Sequence, residues 1–162
     1  MIDDSSNLNE FIEMAVNKYS LIIAKTAFTF LKSTVIAEDI TQDVFLTLLL
    51  KHPKFENEDH LKAWLIRVAV NKSKNYLKSG WYKNNNKVPE ELSYEQPEYS
   101  NLLNAVLSLD VKYRLPIHLY YYEGYSIKEI AKILQQKSAT IITRLARGRN
   151  LLKNLIGEMD DE

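Results

Sequence analysis

The chain has 162 residues, 46% of them hydrophobic, no cysteine, and 21 basic side chains against 21 acidic ones. That length suits one ordinary domain or two small ones with packed cores. The missing thiols exclude a disulfide framework and thiolate metal sites, and no apolar run approaches the ~18–20 residues that cross a bilayer.

The acidic, polar start MIDDSSNLNE is the opposite of a secretory signal, which with the absent cysteines suits a cytoplasmic protein. Zero net charge argues on its face against nucleic acid, but the charges are segregated. Residues 1–61 carry 10 acids and 5 bases, and residues 62–87 carry 7 bases and no acid. Residues 88–127 hold 6 acids and 2 bases, residues 128–153 hold 7 bases and 1 acid, and the last nine are acidic again. Two basic blocks set between acidic ones are the footprint of two polyanion contacts.

Asn7 or Ser5 caps a first helix, in which Leu8, Phe11, Ile12, Ala15, Val16, Tyr19, Ile22 and Ile23 keep a three-four spacing that continues through Ala27 and Phe30. The spacing fits one long helix or two, on the core side of a bundle. Thr34 opens a second helix that Pro53 follows, with Glu38 and Asp39 in its first turn, where carboxylates favour the helix dipole. Ala37, Ile40, Val44 and Leu48 face inward. Asp39, Gln42 and Asp43 group opposite, flanked by Leu46, Leu49 and Leu50. Such a helix is either buried on several sides or offers a partner an apolar surface with acidic anchors.

Phe55 to Asp59 reads as a polar connection capped by Asp59. A third helix follows over residues 60–79, with Leu61, Leu65, Val68 and Ala69 toward the core. Trp64, Arg67, Asn71, Lys74 and Lys78 fall within about 80° of one another around it. Lys72, Trp81, Tyr82, Lys83 and Lys87 extend the block. Basic side chains follow a phosphate backbone, and aromatic faces and amides hold unstacked bases; the alternative is a solvated face with Trp64 in the core.

Residues 84–99, with an Asn run, two prolines and four glutamates, read as a flexible linker between domains. Leu102, Leu103, Val106 and Leu107 then mark a helix ending near Ser108. Another runs from Asp110 to Glu123, kinked or delayed by Pro116 and stopped at Gly124.

Residues 125–149, YSIKEIAKILQQKSATIITRLARGR, read as two helices around a tight break. Ser126 and Glu129 make a capping box, and Ile127, Ile130, Ala131 and Leu134 form a buried face. The polar Gln135-Gln136-Lys137 ends that pattern, and Ser138 or Thr140 caps the next helix. There Ile141, Leu145, Leu152 and Ile156 share one side, and Thr140, Thr143, Arg144 and Arg147 the other. Two arginines and two threonines on an outer face suit the DNA major groove, or a hairpin whose charged face is merely solvated. Gly148 inside this helix costs ~1 kcal/mol against Ala.

No catalytic or metal constellation is visible: His52, His60 and His118 are scattered, and four glycines make no phosphate-cradling loop. The chain reads as an all-α binder without cofactor, in two small helical domains.

Three segments in order carry a family likeness. Residues 37–46, AEDITQDVFL, resemble the core-binding segment of bacterial RNA polymerase sigma factors. Residues 62–77, KAWLIRVAVNKSKNYL, resemble their promoter-melting helix, and residues from 102 to the recognition helix resemble their promoter-reading domain. The short, two-domain layout looks like the extracytoplasmic-function (ECF) group. The resemblance implies a region 2-like domain over 1–83, a linker over 84–99 and a region 4-like domain over 100–162.

The likeness further implies that Asp39, Gln42, Asp43, Phe45 and Leu46 dock on the polymerase β′ clamp helices. Trp64, Arg67, Asn71, Lys74 and Lys78 would engage the minus-ten element, and Ser138, Thr140, Thr143, Arg144 and Arg147 the minus-thirty-five element. Core polymerase, including its β flap, promoter DNA and an anti-sigma factor, often membrane-bound, are the implied partners, with no membrane insertion by the chain itself. Ala139, Ile142 and Ala146 depart from the residues usual in the family. The alternative from another class is a stand-alone helix-turn-helix regulator whose N-terminal domain dimerises or binds a ligand.

Overall fold

In a computed structural model, residues 7–79 and 101–160 are described, with side chains through residue 157. Every regular element among them is helical, and the chain divides into two compact units, Met1–Val88 and Pro89–Glu162. The expected linker over 84–99 lies outside the described residues, as do Ser5, Trp81, Tyr82, Lys83 and Lys87.

The first unit is three mutually packed helices, α1 (Leu8–Leu31), α2 (Thr34–Lys51) and α3 (Glu58–Lys78). The long apolar series in α1 forms one helix of 24 residues. It ends because Lys32 takes a left-handed conformation (φ 58°), its N–H returning to Phe28 O. Ser33 follows at once, extended, and its Oγ accepts from Ile36 N–H at 3.0 Å. Thr34 is the first residue of α2, as expected, with Ser33 as its cap, and Glu38 and Asp39 stand beyond the first turn.

The left-handed His52 (φ 46°) ends α2 before Pro53. Asn57 rather than Asp59 caps α3, its Oδ1 accepting from His60 N–H at 2.8 Å; Glu58 and Asp59 occupy the first turn. Phe55, expected in a polar connection, is 1% exposed and plugs the unit. Burying a side chain of that size contributes roughly 1.5–3 kcal/mol. Around it, Ile23, Val44, Leu48, Leu61, Leu65 and Ile66 complete the core, with Val68 only half-buried. Across the α1–α3 boundary, Lys18 pairs with Glu58, and the Tyr19 hydroxyl donates to the same carboxylate at 3.3 Å.

The second unit contains α4 (Asn101–Ser108), α5 (Val111–Ile117), α6 (Ile127–Leu134) and α7 (Ser138–Asp160). Asp110 caps α5 by accepting from Lys112 N–H at 3.0 Å. Arg114 turns inward, and its guanidinium donates to Leu109 O, closing the α4–α5 corner. Burial pushes its pKa down to about 10, partly countered by Asp110, so it stays charged at neutral pH.

Pro116 does not delay α5, which starts at Val111. Pro116 supplies no N–H, and two residues on, at His118, the helix changes register. Residues His118–Tyr122 form a π turn, with Glu123 N–H donating to His118 O at 3.1 Å. Gly124 (φ 75°) then redirects the chain into α6.

Candidate nucleic-acid and partner surfaces

The α2 window is exposed. At about 100° per residue, Val35, Asp39, Gln42, Asp43, Leu46 and Leu50 share one face of the helix. Val35 is 58% exposed, Leu46 51% and Leu50 71%, and Asp39, Gln42 and Asp43 are also exposed. Neither Asp39 nor Asp43 forms an ion pair among the described residues. Free carboxylates beside uncovered apolar side chains form a surface that a basic, partly apolar partner can cover. Phe45 differs from the others grouped with it: it is buried at 7% exposure, packed behind the window.

On α3 the whole stripe falls along one helix. Arg67, Asn71 and Lys78 are exposed, and Trp64 and Lys74 half-buried. Trp64 is thus neither pure core nor free surface. Its ring meets Phe55 edge-on, with centroids 5.7 Å apart, and Phe55 meets His60 likewise at 5.2 Å. His60 is held in turn, Nδ1 accepting from Glu56 N–H at 3.3 Å. An aromatic ring fixed on one side and open on the other can receive an unstacked base. Arg67, Lys74 and Lys78 form no ion pair among the described residues, so their charge is available to phosphates.

In the second unit the capping box forms as expected: Ser126 Oγ accepts from Glu129 N–H, and Glu129 Oε1 accepts from Ser126 N–H, both at 3.1 Å. Gln135 (φ 56°) ends α6, and α7 begins at Ser138. Ser138 is therefore the first residue of α7, and Thr140 N–H donates to Lys137 O at 3.0 Å. Ile141 and Leu145 are fully buried, fixing which face looks out. Ala139, Thr140, Thr143, Arg144 and Arg147 line one shallow concavity on that face. Thr143 Oγ1 donates back to Ala139 O at 3.0 Å, which leaves its oxygen lone pairs and its methyl group for a ligand.

Three features were not legible as site residues. Gln136 holds Arg144, with Arg144 Nη1 donating to Gln136 Oε1 at 2.8 Å. Tyr121 accepts from Arg149 Nη1 at 3.2 Å. Beside that pair an apolar groove of about 460 Å³ opens between Leu102, Val106, Ile117, Tyr122, Leu152 and Ile156. The exposed tyrosine run and the exposed Leu102 were its only local signals. Among the described residues no acidic, His or Cys cluster could hold a metal, and no helix is long and apolar enough to cross a membrane.

Comparison with known proteins follows the same division. Sigma-70 region 2 matches residues 15–82, and Sigma-70, region 4, matches residues 99–152. The ECF RNA polymerase sigma factor SigX of Bacillus subtilis is 23% identical over 96% of this chain and 91% of its own length. The ECF RNA polymerase sigma-E factor of Escherichia coli is 25% identical over 73% and 72% respectively. Among solved structures, the sigma factor RpoE in complex with the anti-sigma factor NepR from Bartonella quintana is similar at a TM-score of 0.75. That match has 22% identity and covers 90% of this chain and 96% of the other. CnrH, solved with the cytosolic domain of CnrY, gives a TM-score of 0.67 at 21% identity, covering 93% and 90%.

Proposed function

The chain belongs to the sigma factors of bacterial RNA polymerase, in their ECF group, and we propose that it divides the work of initiation among the three surfaces described above. As a sigma factor it directs promoter-specific transcription initiation, and the bond-making chemistry is the polymerase's. The carrying observation is order. Region 2, over residues 15–82, contains both the exposed acidic window and the Trp64–Lys78 stripe, and region 4, over 99–152, contains the helix-turn-helix.

Asp39, Gln42, Asp43 and Leu46 are assigned to the β′ clamp helices, with Phe45 supporting them from the core. Trp64, Arg67, Asn71, Lys74 and Lys78 are assigned to the minus-ten element. There, unstacking a base costs a few kcal/mol per step, which an anchored aromatic ring and an amide partly offset. Ser138, Thr140, Thr143, Arg144 and Arg147 are assigned to the minus-thirty-five element, and the apolar groove beside Tyr121 to the β flap. Residues 1–83 and 100–162 are the working domains and 84–99 their linker.

Neutral net charge makes either reader weak alone. Attachment to one polymerase raises the effective concentration of the second contact once the first has formed. A stand-alone regulator would need only the second unit and would leave the region 2 match without a role. Two of the similar structures hold an anti-sigma factor or a second protein's cytosolic domain. An inhibitor of that kind, often membrane-bound, is the regulator we assign here, acting in the cytoplasm.

Permanganate footprinting with core polymerase tests the reading. Wild-type protein should associate with core and make thymines near the start site reactive, and Trp64→Ala should associate but lose most of that reactivity. Association without opening at any promoter would reduce the role to polymerase binding, and no association would reject it.

A further inference from the structure

Gln136 stands in the turn between α6 and α7, next to the left-handed Gln135. Its backbone is fixed there, its N–H donating to Ala131 O at 2.9 Å. From that fixed point the side chain meets Arg144, two turns into α7, in the part-buried 2.8 Å contact between Oε1 and Nη1. Chemistry settles which carboxamide atom faces the arginine. A guanidinium has donors only, so the oxygen must accept.

Long side chains on a helix lean back toward its N-terminus, and the N-terminal part of a recognition helix is the part that meets base edges. Left to itself, an arginine there would sample many rotamers and lose that freedom on binding. The hold by Gln136 removes much of that loss beforehand. It also leaves one edge whole. The guanidinium carries five N–H donors in a planar fork, and Gln136 occupies one on Nη1. The Nε–Nη2 edge remains, a parallel donor pair of the spacing that guanine O6 and N7 accept. Packing does not rest on this contact alone, because α6 and α7 lie directly against each other and each carries buried side chains, Ile130 and Leu134 on one and Ile141 and Leu145 on the other.

We propose that Gln136 is a positioning residue for promoter selection, orienting Arg144 so that its Nε–Nη2 edge reads one guanine of the minus-thirty-five element. The proposal rests on α7 being the reader of that element, and its test separates the two. Full-length wild type, Arg144→Ala, Gln136→Met and Gln136→Glu are each combined with core polymerase and a promoter library randomised across the upstream element. Position-by-position base preference is read by sequencing the transcripts.

Arg144→Ala should lose preference for guanine at one position by about tenfold, the order of one bidentate base contact. Gln136→Met, similar in size but without the acceptor, should lose most of the preference at that same position and leave the others intact. Gln136→Glu keeps an acceptor and should keep the preference, at lower overall activity because of its charge near phosphates. A merely structural role for Gln136 would weaken all positions together and would overturn the proposal. So would an unchanged Gln136→Met profile beside an altered Arg144→Ala profile, which leaves α7 as the reader. If Arg144→Ala alters no position, α7's assignment and the proposal fall together.

Discussion

Gly148 of α7 lies so close to Ile117 of α5 that a β-carbon on it would come within 2.5 Å of Ile117 Cδ1 and 3.4 Å of Tyr113 Cβ. Ile117 is itself 2% exposed. A glycine that reads in sequence as a local weakness of the recognition helix is thus a point of close contact between α5 and α7. The atom it would meet is the terminal methyl of a buried isoleucine, so the cost of a side chain here depends on whether Ile117 can turn aside.

Gly148→Ala should therefore destabilise the second unit, although alanine is the better helix former by ~1 kcal/mol. Overpacking of this kind costs about 1–3 kcal/mol. Ile117→Val alone removes Cδ1 at a cost of about 0.5–1.5 kcal/mol. Combined, the two should cost less than their sum, with a coupling near 1 kcal/mol. Hydrogen exchange of α5 and α7 amides is the suitable measurement, since both tryptophans, Trp64 and Trp81, belong to the first unit. Additive losses would show that Ile117 simply swings aside.

Reversing Asp39 and Asp43 together to lysine should weaken core polymerase binding at least tenfold, about 1.4 kcal/mol. The fold should be spared, because both side chains are exposed and unpaired among the described residues. Affinity measured against core polymerase, with circular dichroism as the folding control, decides it. Undiminished holoenzyme formation would remove the window as a docking site.

Lys78→Ala should reduce the salt dependence of promoter binding by about one phosphate contact, a slope change of roughly 0.7–0.9. Base preference in the minus-ten element should not change, since a phosphate contact carries no sequence information. Arg67→Ala and Asn71→Ala, nearer the anchored Trp64, should instead alter opening at unchanged salt slope if they touch bases. Binding isotherms across a salt series separate these cases.

The Lys18–Glu58 pair sets a modest pH dependence in the first unit. Its hydrogen bond holds the Glu58 carboxyl below the usual range and raises the Lys18 ammonium. A depressed carboxyl contributes stability above its unfolded value that is lost as pH falls through the folded value. A raised ammonium contributes stability that is lost as pH rises through its own. The effect is small, because both groups are exposed and screened by solvent. Trp64 fluorescence during denaturant unfolding should show the acid-side loss in wild type and a flatter profile in Lys18→Met.

Features written in adjacent residues were legible in the sequence. The Ser126–Glu129 box and the break at Gln135 depend on a few neighbouring residues, and both form. The arcs of α2 and α3 follow from helical angle alone. The same angle puts Phe45 about 120° from Asp39, on the core side, and the family likeness grouped it with the window regardless. Phe55 carried no periodic signal because it plugs the core from a connection. Choosing Asn57 over Asp59 turns on a shift of two residues that periodicity does not resolve. The Gln136–Arg144 and Gly148–Ile117 contacts are tertiary, so nothing local announced them.

The central claim is that this chain gives core RNA polymerase a promoter choice. Its most direct measurement is run-off transcription with purified core polymerase on fragmented genomic DNA, read by sequencing transcript ends with and without the protein. The account predicts discrete new start sites preceded by a shared pair of elements, present only when the protein is added. The same transcript ends in both reactions would contradict it.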